Sequence, residues 1–504
     1  MNVIDKTIAF FSPQTALKRF HERTVLAAYD AAKPNKQRKE RPDNASANLL
    51  TLQAGSNIRG YARNLEQNYD IAESVLKTMV NNVIGANGIS IEPIPRKKDG
   101  TLHTDFAKQL LKYWNDWKQR PEVTWELRWS DCERLLCRTW LRDGEALIQV
   151  LAGTITTLDH GTKVPLSIEL IEADYLPTWN NGTYKETIRV QQNGQWQDIT
   201  NDYDIIQSIE RNRWGRARAY HVLKQHPHDV TYKFNIRETR RIPAQNILHL
   251  KLITRFKQSR GVSIFATVMK RLEDIKDYEE SERIAARVAA AMTAYIKRET
   301  PEDYSMESIE NGQRDFKMSP GMIYDQLSVG EDIGTIQSNR PSGLLSEFRD
   351  AMVRAVSGGT GANYSSVSKK YDGNYSAQRQ ELVESYANYA VLTDSFAGMV
   401  TLPLYKRVIE TAILTGVIKV PKDIDIDTIF EAEFYGPKMP WVDPLKEIRA
   451  NQEAVSAGFK SSQQVIRDSG NNPEAVLEQT ADWKTKAEDK GLSFTTQPQQ
   501  PTQM

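Results

Sequence analysis

A chain of 504 residues with seven histidines and two cysteines offers few places for chemistry. The run GGTGANYSS, residues 358–366, could cradle a phosphate on backbone N–H groups. It lacks the Lys-Ser/Thr pair that a phosphate loop places at the start of its helix, which counts against a nucleotide site. His226-Pro227-His228 presents two imidazoles without a third His, Cys or acidic motif nearby, so a turn fits better than a metal centre. His221 and His249 stand in strand-like text and read as hydrogen-bonded core histidines. Carboxylates at i, i+3 and i+4 recur between Glu273 and Glu282, as in metal-bearing bundles, but no Glu-x-x-His pattern accompanies them. A solvated or lumen-facing acidic face is the simpler reading. No nucleotide-binding, zinc-protease or serine-hydrolase motif is present in the sequence, and no metal or cofactor is indicated. There remains the pair Lys369-Lys370, on a polar loop between two helices. Two ammonium groups there could touch a phosphate backbone by charge alone, without reading sequence.

The elements that must position these residues are legible from periodicity. Neither glycine nor proline occurs from Val262 to Thr300, and Gly261 and Pro301 bracket the run. Apolar residues recur at Phe265, Val268/Met269, Leu272, Ile275, Ala285, Val288, Met292 and Tyr295/Ile296, predicting one unbroken helix. Its first half is densely charged and its second half is alanine-rich, a surface that neighbouring copies could cover.

Ahead of it, helices are predicted from about Asn68 or Asp70 (face Ile71, Val75, Met79, Val80), over Asp105–Gln119, and over Trp129–Arg142. Gly85 and Gly88 turn the first into a strand, and Asp143-Gly144 turns the third into EALIQVL. Residues 145–250 read as β, with Asn-Gly hairpin turns at 181–182 and 193–194. Beyond Pro301 come GMIYDQL as a strand, a short helix over 342–356, and a loop over 358–374 with too little apolar content for a core element. A long helix from Ser376 to about Gly416 contains Pro403, which predicts a kink. A helical pair over 443–487 and a polar tail complete an α+β chain.

A formal charge of +1 excludes a uniformly basic nucleic-acid binder. Cys132 and Cys137, five apart on a helix, read as buried thiols of a protein assembled in a reducing cytosol. No stretch is apolar enough for a membrane span, and MNVIDKTIAFF lacks the marks of a secretory leader. The stretch KPNKQRKERPDNAS (33–46) reads as a mobile basic arm.

In their order, several stretches resemble the lambda-type portal proteins of tailed bacteriophages. They are RNLEQNYDIAESVLKTMVNNVIGANGI (63–89), WLRDGEALI (140–148), IELIEADYL (168–176), GRARAYHV (215–222) and IPAQNILHL (242–250). SRGVSIFATVMKRLEDIKDYEESERIAARVAA (259–290) and VSKKYDGNYSAQRQELVESY (367–386) complete the set. The 358–374 loop departs from the family's more apolar glycine-valine-proline-like pattern. The resemblance implies a ring-forming fold: N-terminal arm (1–58), wing (59–260), first stem helix (261–300), clip (301–341), second stem helix (342–357), tunnel loop (358–374), kinked wing helix (375–418), C-terminal region and helical crown (419–490) and disordered tail (491–504).

It further implies a ring of about twelve copies at one capsid vertex, the channel for packaging and ejecting double-stranded DNA. The implied partners are the terminase large subunit, a head-completion or adaptor protein, and the major capsid and scaffold proteins, with no membrane. Such a protein would be assembled in the host cytoplasm, reside in the virion and hydrolyse nothing. On this resemblance Lys369, Lys370, Ser365, Ser366 and Ser368 face DNA, Glu273, Asp274, Asp277 and Glu280 lend the channel negative charge, and Pro403 kinks the wing helix. Two alternatives stand beside it: another head–tail adaptor, or a metal-dependent nuclease or hydrolase in the β-rich region, for which Asp174 would be a carboxylate to test.

Overall fold

The computed structural model describes residues 44–192, 195–230, 235, 237–290, 294–298, 331–335, 345–371, 373–437, 444–469 and 471–491, together with 12, 14 and 15. The basic stretch up to Asp43, the Asn193-Gly194 turn, the GMIYDQL strand, most of the expected clip and the tail after Gly491 lie outside them.

Helix α1 (Ala47–Asn68) starts where the Ser46 hydroxyl accepts the Leu49 N–H at 3.2 Å. It runs through the expected boundary at 58/59, because Ala47, Thr51, Gly55, Arg59 and Ala62 repeat every three or four residues and are buried. α2 (Asp70–Val83) follows after Tyr69 and buries the predicted face Ile71, Val75, Met79 and Val80. Neither Asn68 nor Asp70 caps it: the Asn68 amide bonds back to Asn64, and Asp70 lies inside the first turn.

Strand β1 (Ser90–Pro93) pairs antiparallel with Ala432–Tyr435, far along the chain. α3 (Thr104–Trp117) and α4 (Trp129–Asp143) then bring three tryptophans together. Trp114 stacks on Trp117 at 5.0 Å between ring centroids, and both meet Trp129. Cys132 and Cys137 are free and buried on α4, and burial pushes both thiols up, Cys132 to about 12.

Strand β2 (Glu145–Ala152) is the centre of a three-stranded antiparallel sheet, between β3 (Leu166–Glu172) and a later strand, Ile247–Lys251. A five-stranded antiparallel meander joins β4 (Gly182–Gln192), β5 (Gln195–Ile206), β6 (Ile209–Asn212), β7 (Ala217–Leu223) and β8 (Thr239–Pro243) in order. β9 (Ile247–Lys251) returns the chain to the first sheet. Asn181-Gly182 is therefore no hairpin turn: it carries the chain from one sheet to the other, and the Asn181 amide bonds the Thr178 carbonyl.

The unbroken helix expected over 262–300 is corrected. A 3-10 turn, Ile264–Thr267, opens on Ser263, and the α-helix α5 spans only Met269–Ala290. Ala294–Arg298 (β10) is a strand, paired antiparallel with Glu331–Thr335 (β11). Tyr295 and Ile296 suit a strand as well as a helix, and the partner that decides between them lies some 35 residues onward. The buried apolar stripe is Phe265, Val268, Leu272 and Ile275, each aliphatic worth about 1.5–3 kcal/mol of burial.

α6 (Leu345–Thr360) extends three residues past the expected end at 357. The following residues are not all loop, because Tyr364–Ser368 form a short helix, α7. Ala362 and Val367 belong to the main core, so the 358–374 segment does contribute to it. α8 (Tyr375–Phe396) continues through a π-helical turn, Ala397–Thr401, into α9 (Leu402–Leu414). The Leu402 N–H reaches back five residues to the Ala397 carbonyl, so the ladder widens in the turn just before Pro403, which has no N–H to give. β12 (Ala432–Tyr435) precedes three short helices instead of a pair: α10 (Pro444–Ser456), α11 (Ser462–Asp468) and α12 (Pro473–Glu488). No helix among the described residues is long and apolar enough to cross a membrane.

Candidate functional site

The loop between α6 and α8 is held from beneath. Gly361 has φ +76°, and a Cβ there would lie 2.3 Å from the Asn388 amide, whose nitrogen donates to the Gly361 carbonyl. Asn363 caps α7 by accepting the Ser366 N–H at 2.8 Å, while its own N–H donates to the Tyr389 hydroxyl at 2.8 Å. Ser365 is buried, and its N–H and hydroxyl both donate to the Glu381 carboxylate. The Ser368 hydroxyl donates to the Tyr364 carbonyl, and Ser74 of α2 donates to the Val367 carbonyl at 3.0 Å.

The two lysines are consequently unequal. Lys369 ends α7 in the left-handed region at φ 57° and is exposed. Lys370 is half-buried and pairs with Asp350 of α6. Ser365 and Ser368 are engaged in building the loop, which leaves Lys369 and the partly exposed Ser366 as its outward groups among the predicted five.

On α5, Glu273, Asp274, Asp277 and Glu280 are all exposed, with Glu273, Asp277 and Glu280 one and two turns apart along one face. Glu279, on the inner side, pairs with Arg349 of α6 at 2.7 Å, and Tyr278 packs against Phe348 with centroids 4.8 Å apart. α5 and α6 are thus fastened to each other while the acidic face stays in solvent.

Where α5 leaves the sheet lies a buried charge cluster that sequence reasoning missed. Glu145, at the start of β2, is fully buried. It accepts Arg260 Nε at 2.8 and 3.0 Å, the Gly261 N–H at 3.1 Å and His249 Nε2 at 3.1 Å. Burial alone would raise this carboxyl; the Arg260 guanidinium and the His249 hydrogen bond instead hold it well below the usual range. Arg260 spends its remaining donors on the Leu176 and Ala173 carbonyls, both at 2.9 Å. Beside it, Arg59 reaches Asp174 at 3.1 Å, and Arg63 bridges Asp143 and Asp174 at 2.7 and 2.6 Å. Arg142 and Arg138 extend the chain of charges to Glu66 and Glu73. Two signals were present in the sequence, the Asp143-Gly144-Glu145 turn and Ser259-Arg260-Gly261, but nothing local pairs them across more than a hundred residues.

The nuclease alternative is tested at the same place. Among the described residues, Glu172, Asp174 and His226 are grouped closely enough to hold a metal ion. Arg59 and Arg63 already neutralise Asp174, and Arg63 and Arg142 stand 3.6 and 3.9 Å from Glu172. Guanidinium groups in those positions repel a cation, so Asp174 reads as a structural carboxylate. His226 accepts the His228 N–H through Nδ1, as a turn residue does. His221 and His249 are bonded to Glu210 and Glu145, as expected of core histidines.

Comparison with known proteins agrees with the residues and their order. Residues 33–392 match the family described as phage portal protein, lambda family. A probable portal protein of Halomonas phage phiHAP-1 is 24% identical over 434 residues, covering 84% of this chain and 79% of the relative. Among solved structures, a chain in the neck of a native gene transfer agent particle, computed with C12 symmetry, has 14% identity and a TM-score of 0.42 over 84% of this chain and 94% of its own. A chain in the neck of an empty particle, computed with C6 symmetry, has 13% identity and a TM-score of 0.43 over 87% and 97%. With the lambda-family match extending from the basic stretch into α8, the chain belongs to the lambda family of phage portal proteins.

Proposed function

We propose that this phage portal protein works as a closed ring of about twelve copies at one vertex of the virion capsid, with α5, α6 and the Lys369 loop surrounding a channel for double-stranded DNA. The lambda-family match, which spans all of these elements, is the observation that carries the reading. The packaging motor's terminase large subunit and later a head-completion or adaptor protein would dock on the segment between β10 and β11. Capsid and scaffold proteins would meet the ring's outer surface.

In this arrangement Lys369 is the outward cation of a braced loop, while Glu273, Asp274, Asp277 and Glu280 keep the bore below it acidic. A rod-shaped polyanion is guided by many weak, screened contacts, and the repelling wall prevents the tight, salt-sensitive hold that would stall it. The chain's role is structural, and ATP hydrolysis falls to the motor.

Lys369→Glu tests the loop. It should leave ring assembly unchanged and lower DNA packaging or retention by about tenfold in a reconstituted packaging assay. Normal packaging by that variant contradicts the loop's role. Lys370→Glu is the control for structure: it breaks the pair with Asp350 and should loosen α6 against the loop.

A further inference from the structure

The hairpin between β6 and β7 is built to present a tryptophan. Asn212 braces its tip: the side-chain oxygen accepts the Trp214 and Arg216 N–H groups at 3.0 and 2.9 Å, and its backbone pairs with Gly215 and Arg216. Arg211 closes the tip by donating to the Gly215 carbonyl at 2.6 Å. Trp214 is nevertheless 79% exposed, with the Arg213 guanidinium 5.0 Å from its ring centroid. Arg213 and Arg216 are exposed, and no carboxylate among the described residues pairs with either. A braced, solvent-exposed Trp flanked by two exposed arginines has the composition of an interface anchor. A concave apolar surface would cover that ring, which a phosphate backbone alone would not.

The same chain carries such a concavity elsewhere. A cavity of about 510 Å³ lies between α8, the π-helical turn and β12, walled by Tyr386, Ala390, Leu402 and Phe434. Asp394, which is exposed, and Glu433, 3.9 Å from Arg467, also line it, and no lysine or arginine among the described residues does. Its volume admits an indole, and its charges oppose those of the hairpin. Two unlike, complementary patches on one chain are what a head-to-tail ring contact requires.

We propose that the Arg213-Trp214-Arg216 tip of each copy seats in the cavity beside the π-helical turn of the next copy, with Trp214 against Tyr386 and Phe434 and the arginines toward Asp394 and Glu433. This names a subunit contact and rests on the ring reading above. It also gives the widened helical turn a purpose, since that turn forms one wall of the receiving cavity.

The test mixes two single-cysteine variants of the full-length protein that keep the Trp214 indole, Arg216→Cys and Asp394→Cys. The native Cys132 and Cys137 are buried and out of reach. Assembled together and exposed to copper-phenanthroline in air, the mixture should yield a disulfide-linked dimer, and neither variant alone should. Arg213→Glu/Arg216→Glu and the cavity-filling Ala390→Trp should each lower the ring fraction at fixed protein concentration about tenfold, with unchanged circular dichroism. Rings that form without the cross-link overturn the contact and leave the ring reading intact. Rings unaffected by the arginine substitutions but weaker in DNA retention overturn it in favour of a nucleic-acid surface. Protein that never forms rings fails the ring reading, and a cross-link in that material still supports the contact.

Discussion

Glu133 is a carboxyl held among apolar neighbours. It is fully buried on α4, where it accepts the Ile89 N–H at 3.2 Å and the hydroxyl of Thr401, the last residue of the π-helical turn, at 3.4 Å. Burial pushes its carboxyl up to about 8, against 4.5 for an ordinary glutamate. Between those values the folded protein holds a proton that the unfolded chain has released. The group's contribution is therefore full below about pH 4.5 and is lost as pH rises through about 8. Glu133→Gln keeps the acceptor and removes the ionisation. It should gain about 2–4 kcal/mol at pH 8 and nothing at pH 4, measured by urea unfolding at both values. Arg260 works in the opposite sense, because Glu145 beside it is ionised and has no route to solvent. Arg260→Ala should cost about 3–5 kcal/mol in the same measurement, since it strands a buried carboxylate.

At the scale of elements, the junction between the sheet and α5 is the tightest place in the fold. A Cβ on Gly261 would sit 1.9 Å from the Gly144 carbonyl oxygen, and Gly144 itself has φ +88°. Backbone meets backbone there, so no side-chain movement relieves a substitution. Gly261→Ala should destabilise by about 2–4 kcal/mol and reduce soluble yield, whereas Gly60→Ala, exposed on α1 with nothing near its Cβ and no positive φ, should alter yield little. The same region shows how far the sequence could be read. The faces of α2, α3 and α4, the β-rich middle and the Gly144 turn were legible because their signals are local. The end of α5 was not, because β10 is decided by pairing with β11. Nor was the role of the 358–374 loop in the core: its few apolar residues, Ala362 and Val367, pack against distant helices. Of the site, Lys369 and the acidic face of α5 kept the exposure their types suggested. Ser365 and Lys370 did not, since their partners Glu381 and Asp350 are set by tertiary packing.

For the whole molecule, the near-zero net charge takes on a meaning once it is resolved in space. Three exposed places carry groups of one sign that a ring would multiply: Lys369, Arg213 with Arg216, and Glu273, Asp274, Asp277 and Glu280 of α5. A ring repeats each of them around one axis, so a single lysine becomes a collar and a four-carboxylate face becomes a wall. Within one copy, α5 and α6 bury Leu272, Ile275, Val353 and Val356 in the main core, and a ring would place a neighbour beside the exposed outer side of α5. All of this depends on assembly. The most direct test is the mass and symmetry of the purified protein by light scattering with negative-stain averaging. Rings with a central hole and a mass of roughly 690 kDa, about twelve copies of a 57.4 kDa chain, are expected. A compact monomer or dimer that stays so when capsid and scaffold proteins are added would contradict the ring reading.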